Sequence, residues 1–178
     1  MPPGAVSWSF TDDDFQAISG SLQRFLYDSN ARCALLVDRA GQLVATVGEP
    51  PAFDATAFAS LTAADFSAND QLAKLIGEKD FTTLFHQGEK ESMFLADVAR
   101  RIILVVLFDD RTTLGLVRLK LKGVVDELAR RFETVFARGA TPAGSGSGAR
   151  GMTGALGAEP APLDLLAGAE DEIDRLFS

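Results

Sequence analysis

The sequence has little of the chemistry on which metal binding and covalent catalysis usually depend. It contains one cysteine, Cys33, and one histidine, His86. A single cysteine excludes a disulfide framework, and one histidine without a second histidine or a cysteine beside it cannot form a typical zinc site. Cys33 lies in an apolar run and is expected to be a small core residue. We therefore predict no metal and no cofactor.

Positive charge and long apolar runs are also scarce. The chain has 17 Lys and Arg against 25 Asp and Glu, so its formal net charge is −8. This balance argues against nucleic-acid binding, which needs a basic surface. No apolar run approaches the roughly 18 residues that suggest a membrane span, and residues 1–8 lack the features of a secretory signal. Together with the single cysteine, these absences predict a cytoplasmic protein with no membrane insertion.

The familiar catalytic motifs are missing as well. No P-loop, Gly-x-Ser-x-Gly or His-Glu-x-x-His pattern is present, and the glycine-rich stretch at 144–151 lacks the P-loop lysine. His86 is interpreted as a structural or surface residue rather than a lone acid or base. Asp109 and Asp110 have two interpretations, as catalytic carboxylates or as residues of a helix start. Nothing selects an arginine finger among Arg100, Arg101, Arg111 and Arg118. We predict no catalytic residue, and hence no enzyme.

The stretch Asp54–Ile76 predicts a long helix with signals at both ends. Asp54 is a good N-cap, and Gly77 suits the position that follows a helix. One stripe is large and apolar, and we expect it to lie against a sheet: Phe58, Leu61, Phe66, Leu72, Leu75 and Ile76. Most of the remaining surface is small: Ala57, Ser60, Ala63, Ala64, Ser67 and Ala68. The small side either allows a partner to approach closely or reflects the helix propensity of alanine alone.

Apolar periodicity predicts the other elements of the chain. A helix capped by Thr11 is followed by two strands at 33–37 and 43–47, which form a hairpin. After the central helix, three strand candidates lie at 81–87, 92–98 and 102–108. A last helix, capped by Thr112 or Thr113, continues to about residue 136. The predicted order is α-β-β-α-β-β-β-α.

The C-terminal part has a different composition. Residues 138–162 are rich in Gly, Ala, Pro and Ser, which is typical of a flexible linker. In residues 163–178, Ile173, Leu176 and Phe177 share one face of a predicted amphipathic helix. This helix either docks in the groove of a partner, packs on its own domain or is a frayed end. The predicted organisation is an N-terminal extension (1–10), a domain (11–137), a linker (138–162) and a docking helix (163–178).

Several separated segments resemble the Roadblock domain family, and within it the MglB-type regulators of the Ras-like GTPase MglA. The resemblance covers about residues 12–136, and residues 171–177 are similar to the C-terminal segment of the family. The segments are 36–43 (LVDRAGQL), 59–63 (ASLTA), 72–78 (LAKLIGE), 85–88 (FHQG) and 108–119 (FDDRTTLGLVRL). The resemblance implies an α+β sandwich of the Roadblock, profilin-like type: a five-stranded antiparallel sheet with helices on both faces.

The resemblance also implies a function. MglB-type proteins are homodimers whose sheets join across the two-fold axis with the central helices side by side, and two subunits bind one GTPase. They stimulate GTP hydrolysis by remodelling the GTPase's own catalytic residues, without donating an arginine finger. Their C-terminal segment docks on the GTPase and assists nucleotide exchange. These regulators act in cell polarity or motility, so enrichment at a cell pole is a further expectation.

Carried onto this sequence, the resemblance suggests two sets of partner-binding residues. On the central helix they are Ser60, Ala63, Ala64, Ser67, Ala68 and Gln71. On the C-terminal helix they are Ile173, Asp174, Leu176 and Phe177.

One departure from the family leaves an alternative open. The stretch 64–71 (ADFSANDQ) is bulkier and more polar than is common in the contact helix of the family. It favours either a different GTPase partner or binding without activation. The alternative function is therefore a Roadblock scaffold that recruits partners without GTPase activation. A small-molecule sensor is disfavoured, because no convergent polar cluster is visible.

Overall fold

The computed structural model describes residues 10–139, which form three helices and five strands. The elements follow the predicted order and build one open antiparallel sheet with the strand order β2-β1-β5-β4-β3. The predicted α+β class is confirmed. The elements are α1 (Asp12–Ser29), β1 (Cys33–Asp38), β2 (Leu43–Gly48), α2 (Ala55–Leu75), β3 (Thr83–Gln87), β4 (Ser92–Val98), β5 (Ile102–Phe108) and α3 (Leu114–Gly139).

The two central strands place helices on both faces of the sheet. All seven residues of β5 are buried, as the continuous apolar run of this strand predicts. The whole length of β1 pairs with β5. Alternate side chains of these strands point to opposite faces. On one face they pack with α1 and α3, and on the other they pack with α2. Each face of the sheet therefore contributes to a separate hydrophobic core.

Side-chain caps mark the N-terminal starts of the three helices. Thr11 and Asp14 form a capping box at the start of α1, in which Asp14 N donates to Thr11 Oγ1 at 3.2 Å. Asp54 accepts bonds from two backbone N–H groups at the start of α2. At the start of α3, Thr113 Oγ1 accepts from the N–H of Leu116. Thr113 is thus the cap of α3 among the two predicted candidates.

The turn between β1 and β2 is tightly bonded and lies close to α2. The Asp38 carboxylate accepts hydrogen bonds from the N–H groups of Ala40 and Gln42. Gly41 has a φ of +87°, which a residue with a side chain rarely adopts. A Cβ at Gly41 would lie 3.0 Å from the Cα of Ser60 on α2. The glycine therefore permits both the turn and the close contact with the helix.

The predicted orientation of the central helix is wrong for most of its large residues. The side facing the sheet buries mainly small residues together with Phe66: Ala59, Thr62, Ala63, Phe66, Asn69 and Ala73. Leu61, Leu72, Leu75 and Ile76, expected to face the sheet, are exposed. Phe58 is half-buried against the core. Because both sides of α2 are apolar, the pattern of hydrophobicity alone does not orient it.

No helix within residues 10–139 is long and apolar enough to cross a membrane. The predicted extension at 1–10 (except Phe10), the linker (except Arg138 and Gly139) and the C-terminal docking helix lie outside the described residues.

Candidate functional site

The outward face of α2 contains five of the six partner residues predicted on this helix. Ser60, Ala64, Ser67, Ala68 and Gln71 are all exposed there. The sixth, Ala63, is only 8% exposed and packs in the core under the helix. Ala63 therefore lies on the side of α2 that packs against the sheet and not on its exposed face.

Four large apolar side chains flank these small residues, and together we call them the α2 ridge. They are 57–82% exposed: Leu61 71%, Leu72 57%, Leu75 82% and Ile76 70%. Several large apolar side chains exposed along one helix favour an interaction site, because water solvates them poorly. Ala57, Leu61, Ala64, Ala68, Gln71 and Leu75 recur at alternating spacings of four and three residues. This spacing is typical of a seam against a second helix.

Arg39 connects one side of α2 to the sheet. From the β1–β2 turn, its Nη1 donates to Asp70 on α2 at 2.8 Å, and its Nη2 donates to Asp97 on β4. The guanidinium also lies over the ring of Phe66, 4.5 Å from its centroid. Sequence reasoning missed this arginine, because Asp70 and Asp97 are 31 and 58 residues away along the chain.

His86 contacts the opposite side of α2. Its Nε2 lies 2.9 Å from Oδ2 of Asp65, so it connects the edge strand β3 to the helix. Both side chains are more than two-fifths exposed. His86 is thus a surface residue with a carboxylate partner, in line with the favoured interpretation of the sequence.

The other charged candidates belong to an ion-pair network at one end of the sheet. Arg111 binds Asp109 and Glu49, and Arg32 binds Glu49 and Glu91. The hydrogen bonds from Arg111 lower the pKa of both Asp109 and Glu49. Asp109 is therefore an ionised partner of an arginine, which suits it poorly to acid–base work near neutral pH.

The described residues show no other centre of chemistry. Within 10–139, no group of three or more His, Cys, Asp and Glu side chains could hold a metal ion. Cys33 is buried, and burial raises the pKa of its thiol, so it remains protonated. Among the arginines considered as fingers, Arg100 pairs with Asp80 and Arg101 lies over the ring of Phe136. The exposed face of α2 is the candidate functional site.

The second predicted set of partner residues lies outside the described part of the chain: Ile173, Asp174, Leu176 and Phe177.

Comparison with solved structures identifies the family. Myxococcus xanthus MglB matches with 46% sequence identity and a TM-score of 0.65, over 67% of this chain and 98% of that chain. The family model for the Roadblock/LC7 domain matches residues 21–108, from within α1 to the end of β5. The chain belongs to the Roadblock/LC7 family. The resemblance inferred from the sequence motifs is thereby confirmed.

Other solved members of the Roadblock/LC7 family agree with this assignment. MglB from Thermus thermophilus is 31% identical, with a TM-score of 0.68, over 72% of this chain and 97% of that chain. A structure described as MglB with a tetrameric arrangement matches with the same identity, coverage and TM-score. A Roadblock/LC7 domain from Streptomyces avermitilis, at 14% identity and a TM-score of 0.58, shares the fold. No curated protein sequence matches.

Proposed function

We propose that the chain is a homodimeric regulator of a Ras-like small GTPase of the MglA type. In this proposal two subunits bind one GTPase through α2 and stimulate GTP hydrolysis by remodelling the GTPase's own catalytic residues. The similarity to MglB structures supports the partner class. The protein is a regulator with no catalytic centre of its own, and cell polarity or motility is the process in which it acts.

The exposed face of α2 is the observation on which the proposal rests. It presents small side chains next to the α2 ridge, so the backbone of a partner can approach the helix closely. The 21 residues of α2 include no arginine and only one lysine, Lys74. No residue of α2 itself is therefore suited to act as an arginine finger. This composition is consistent with stimulation by repositioning of the partner's own catalytic groups.

Dimer formation is supported by two features of the same region. The heptad-like spacing on α2 suits a second copy of the helix. β3 is an edge strand with mostly exposed residues, so its outer edge is free to pair with another strand. Joining two copies at β3 would bring their α2 helices side by side, because α2 is adjacent to β3 through the Asp65–His86 contact.

The decisive experiment is single-turnover GTP hydrolysis by an MglA-like GTPase. It compares the GTPase alone, with the full chain, and with a chain ending at Arg138. We expect acceleration with both forms. Ser67→Arg should abolish the acceleration, because a long cation on the exposed side of α2 blocks close approach. Ala64→Arg should also abolish the acceleration, but Ala64 belongs to the heptad-like seam as well, so Ser67→Arg is the variant that separates partner contact from dimer contact.

The control for Ser67→Arg is Gln23→Arg, which adds the same side chain at an exposed position on α1. We expect Gln23→Arg to accelerate hydrolysis as the unchanged protein does. Sedimentation of each variant shows whether the oligomer is intact. Full acceleration by Ser67→Arg would reject the α2 face as the binding surface.

The alternative function is a scaffold that binds its partner without activation. Polar residues on the outward face of α2, Ser67 and Gln71, favour this alternative. Binding by the full chain without acceleration in the same assay would establish it.

The C-terminal helix (163–178) is proposed to dock on the GTPase and assist nucleotide exchange through its apolar face. Residues 138–162, with their composition rich in Gly, Ala, Pro and Ser, are proposed to act as a tether that keeps the predicted helix at a high effective concentration near the partner. The chain ending at Arg138 tests this role. We expect it to bind the GTPase more weakly and to lose any effect on the release of labelled nucleotide.

A further inference from the structure

One arginine network holds α2 against the sheet. Arg39 donates from its two terminal nitrogens to two carboxylates, Asp70 on the helix and Asp97 on β4. Its guanidinium plane covers Phe66, the one large side chain of α2 that is fully buried. Three elements, the β1–β2 turn, α2 and β4, therefore meet at a single side chain.

The packing beneath α2 gives this network a specific task. Apart from Phe66 and the half-buried Phe58, the apolar residues that α2 packs against the sheet are the small Ala59, Ala63 and Ala73. Small side chains form low ridges, so they resist rotation of a helix about its axis less than large interlocking ones do. A forked guanidinium bonded to two carboxylates is directional and resists such rotation.

The turn that carries Arg39 is itself well fixed. The N–H of Arg39 donates to the carbonyl of Arg101 at 3.1 Å, and Gly41 packs directly on the backbone of Ser60. On the other side of α2, the contact between His86 and Asp65 is exposed and therefore weaker. Arg39 is the stronger of the two side-chain anchors.

We infer that Arg39 is a positioning residue, which sets the rotation of α2 and thereby selects the side chains presented to the partner. Asp70 lies between Ser67 and Gln71 in the sequence of the helix, so an anchor at Asp70 fixes both of those exposed residues. The part of this inference that concerns the partner rests on the proposed function, whereas the part that concerns α2 does not.

The test uses two variants of the full chain and one matched control. Arg39→Lys keeps the charge but loses the fork and the contact of its plane with Phe66, and Asp70→Asn keeps the shape but removes the ion pair. The control is Arg32→Lys, because Arg32 also pairs with several carboxylates, which lie in loops next to β2, β4 and β5 and not on α2: Glu49, Glu91 and Asp109.

Two quantities are measured for each protein: amide hydrogen exchange, residue by residue, and affinity for the MglA-like GTPase. We expect Arg39→Lys and Asp70→Asn to raise exchange along α2 by roughly tenfold, the effect of losing one charge-assisted hydrogen bond. Exchange in α1 and α3 should stay unchanged, and affinity for the GTPase should fall to a similar extent. Arg32→Lys should leave both α2 exchange and affinity as in the unchanged protein.

Exchange that is unchanged in α2, or raised equally in all three helices, would overturn the inference, since the first shows no anchor and the second a general loss of stability. Faster exchange in α2 with full affinity would also overturn it, because rotation would then not select the partner face. If the unchanged protein binds no MglA-like GTPase, the proposed function fails, and α2 exchange alone still decides whether Arg39 anchors the helix.

Discussion

At the scale of single residues, Gly41 shows how one position can combine two constraints. Its φ of +87° lies in the left-handed region, and an added Cβ would crowd the backbone of Ser60. Gly77 has a similar φ of +83°, but a Cβ there would meet nothing within 4 Å. A substitution at Gly77 therefore measures the free-energy cost of the backbone conformation alone, whereas one at Gly41 adds the cost of the contact with α2.

We predict that Gly41→Ala lowers the free energy of unfolding more than Gly77→Ala does. Each change should cost about 1 kcal/mol for the backbone conformation. Gly41→Ala should cost about 1–3 kcal/mol more, because the turn must move away from α2. Urea unfolding of both variants measures the difference. Equal losses would show that the turn moves away from α2 freely, which would also weaken the case for Arg39 as an anchor.

At the scale of elements, α1 and α3 are joined by a hydrogen bond that depends on pH. Ser21 Oγ on α1 donates to the Glu127 carboxylate on α3 at 2.6 Å. This bond, together with Arg131, lowers the pKa of Glu127 below its ordinary value of 4.5. Because the folded pKa is lowered, the stabilisation is complete above pH 4.5 and is lost as the pH falls through the folded pKa.

We predict that Glu127→Gln lowers the free energy of unfolding by about 1 kcal/mol at pH 7, the usual net effect of one such bond. The difference from the unchanged protein should shrink as the pH falls from 4.5 through the folded pKa, because the carboxyl group is protonated in both states only below the folded pKa. Asp126→Asn is the control, because it removes a neighbouring exposed carboxylate. A difference that stays constant with pH would show that the ionised carboxylate is not what Ser21 stabilises.

Local sequence signals predicted the helices and strands well. They could not predict contacts between residues that are far apart in the sequence. Thr11 and Asp54 mark the starts of helices because their side chains accept hydrogen bonds from backbone N–H groups two or three residues later. The apolar run Ile102–Phe108 indicates a buried strand without knowledge of the neighbouring strands. The orientation of α2 could not be predicted, because Leu61 and Phe66 lie on opposite sides and either could face the sheet. The role of Arg39 could not be predicted either, because the carboxylates that it binds, those of Asp70 and Asp97, lie far from it in the sequence.

At the scale of the whole molecule, the α2 ridge is expected to pack against a second copy. Leu75 is 82% exposed in the single chain, in line with Leu61 along the seam. We predict that Leu75→Glu abolishes dimer formation, because a carboxylate without a partner is costly to bury in an apolar interface. Leu119→Glu is the matched control, since Leu119 on α3 is 72% exposed and lies on the other side of the sheet.

Sedimentation velocity measures the oligomeric state of each variant, and the hydrolysis assay measures its effect on the GTPase. We expect Leu75→Glu to sediment as a monomer where the unchanged protein and Leu119→Glu sediment as dimers. Because two subunits are proposed to hold one GTPase, the monomer should also fail to accelerate hydrolysis although Ser67 and Gln71 are unchanged. A dimer that survives Leu75→Glu would show that the dimer interface does not depend on this end of the α2 ridge, as expected if the two copies join at an edge strand instead. A loss of acceleration by such an intact dimer would then indicate that Leu75 contacts the GTPase directly.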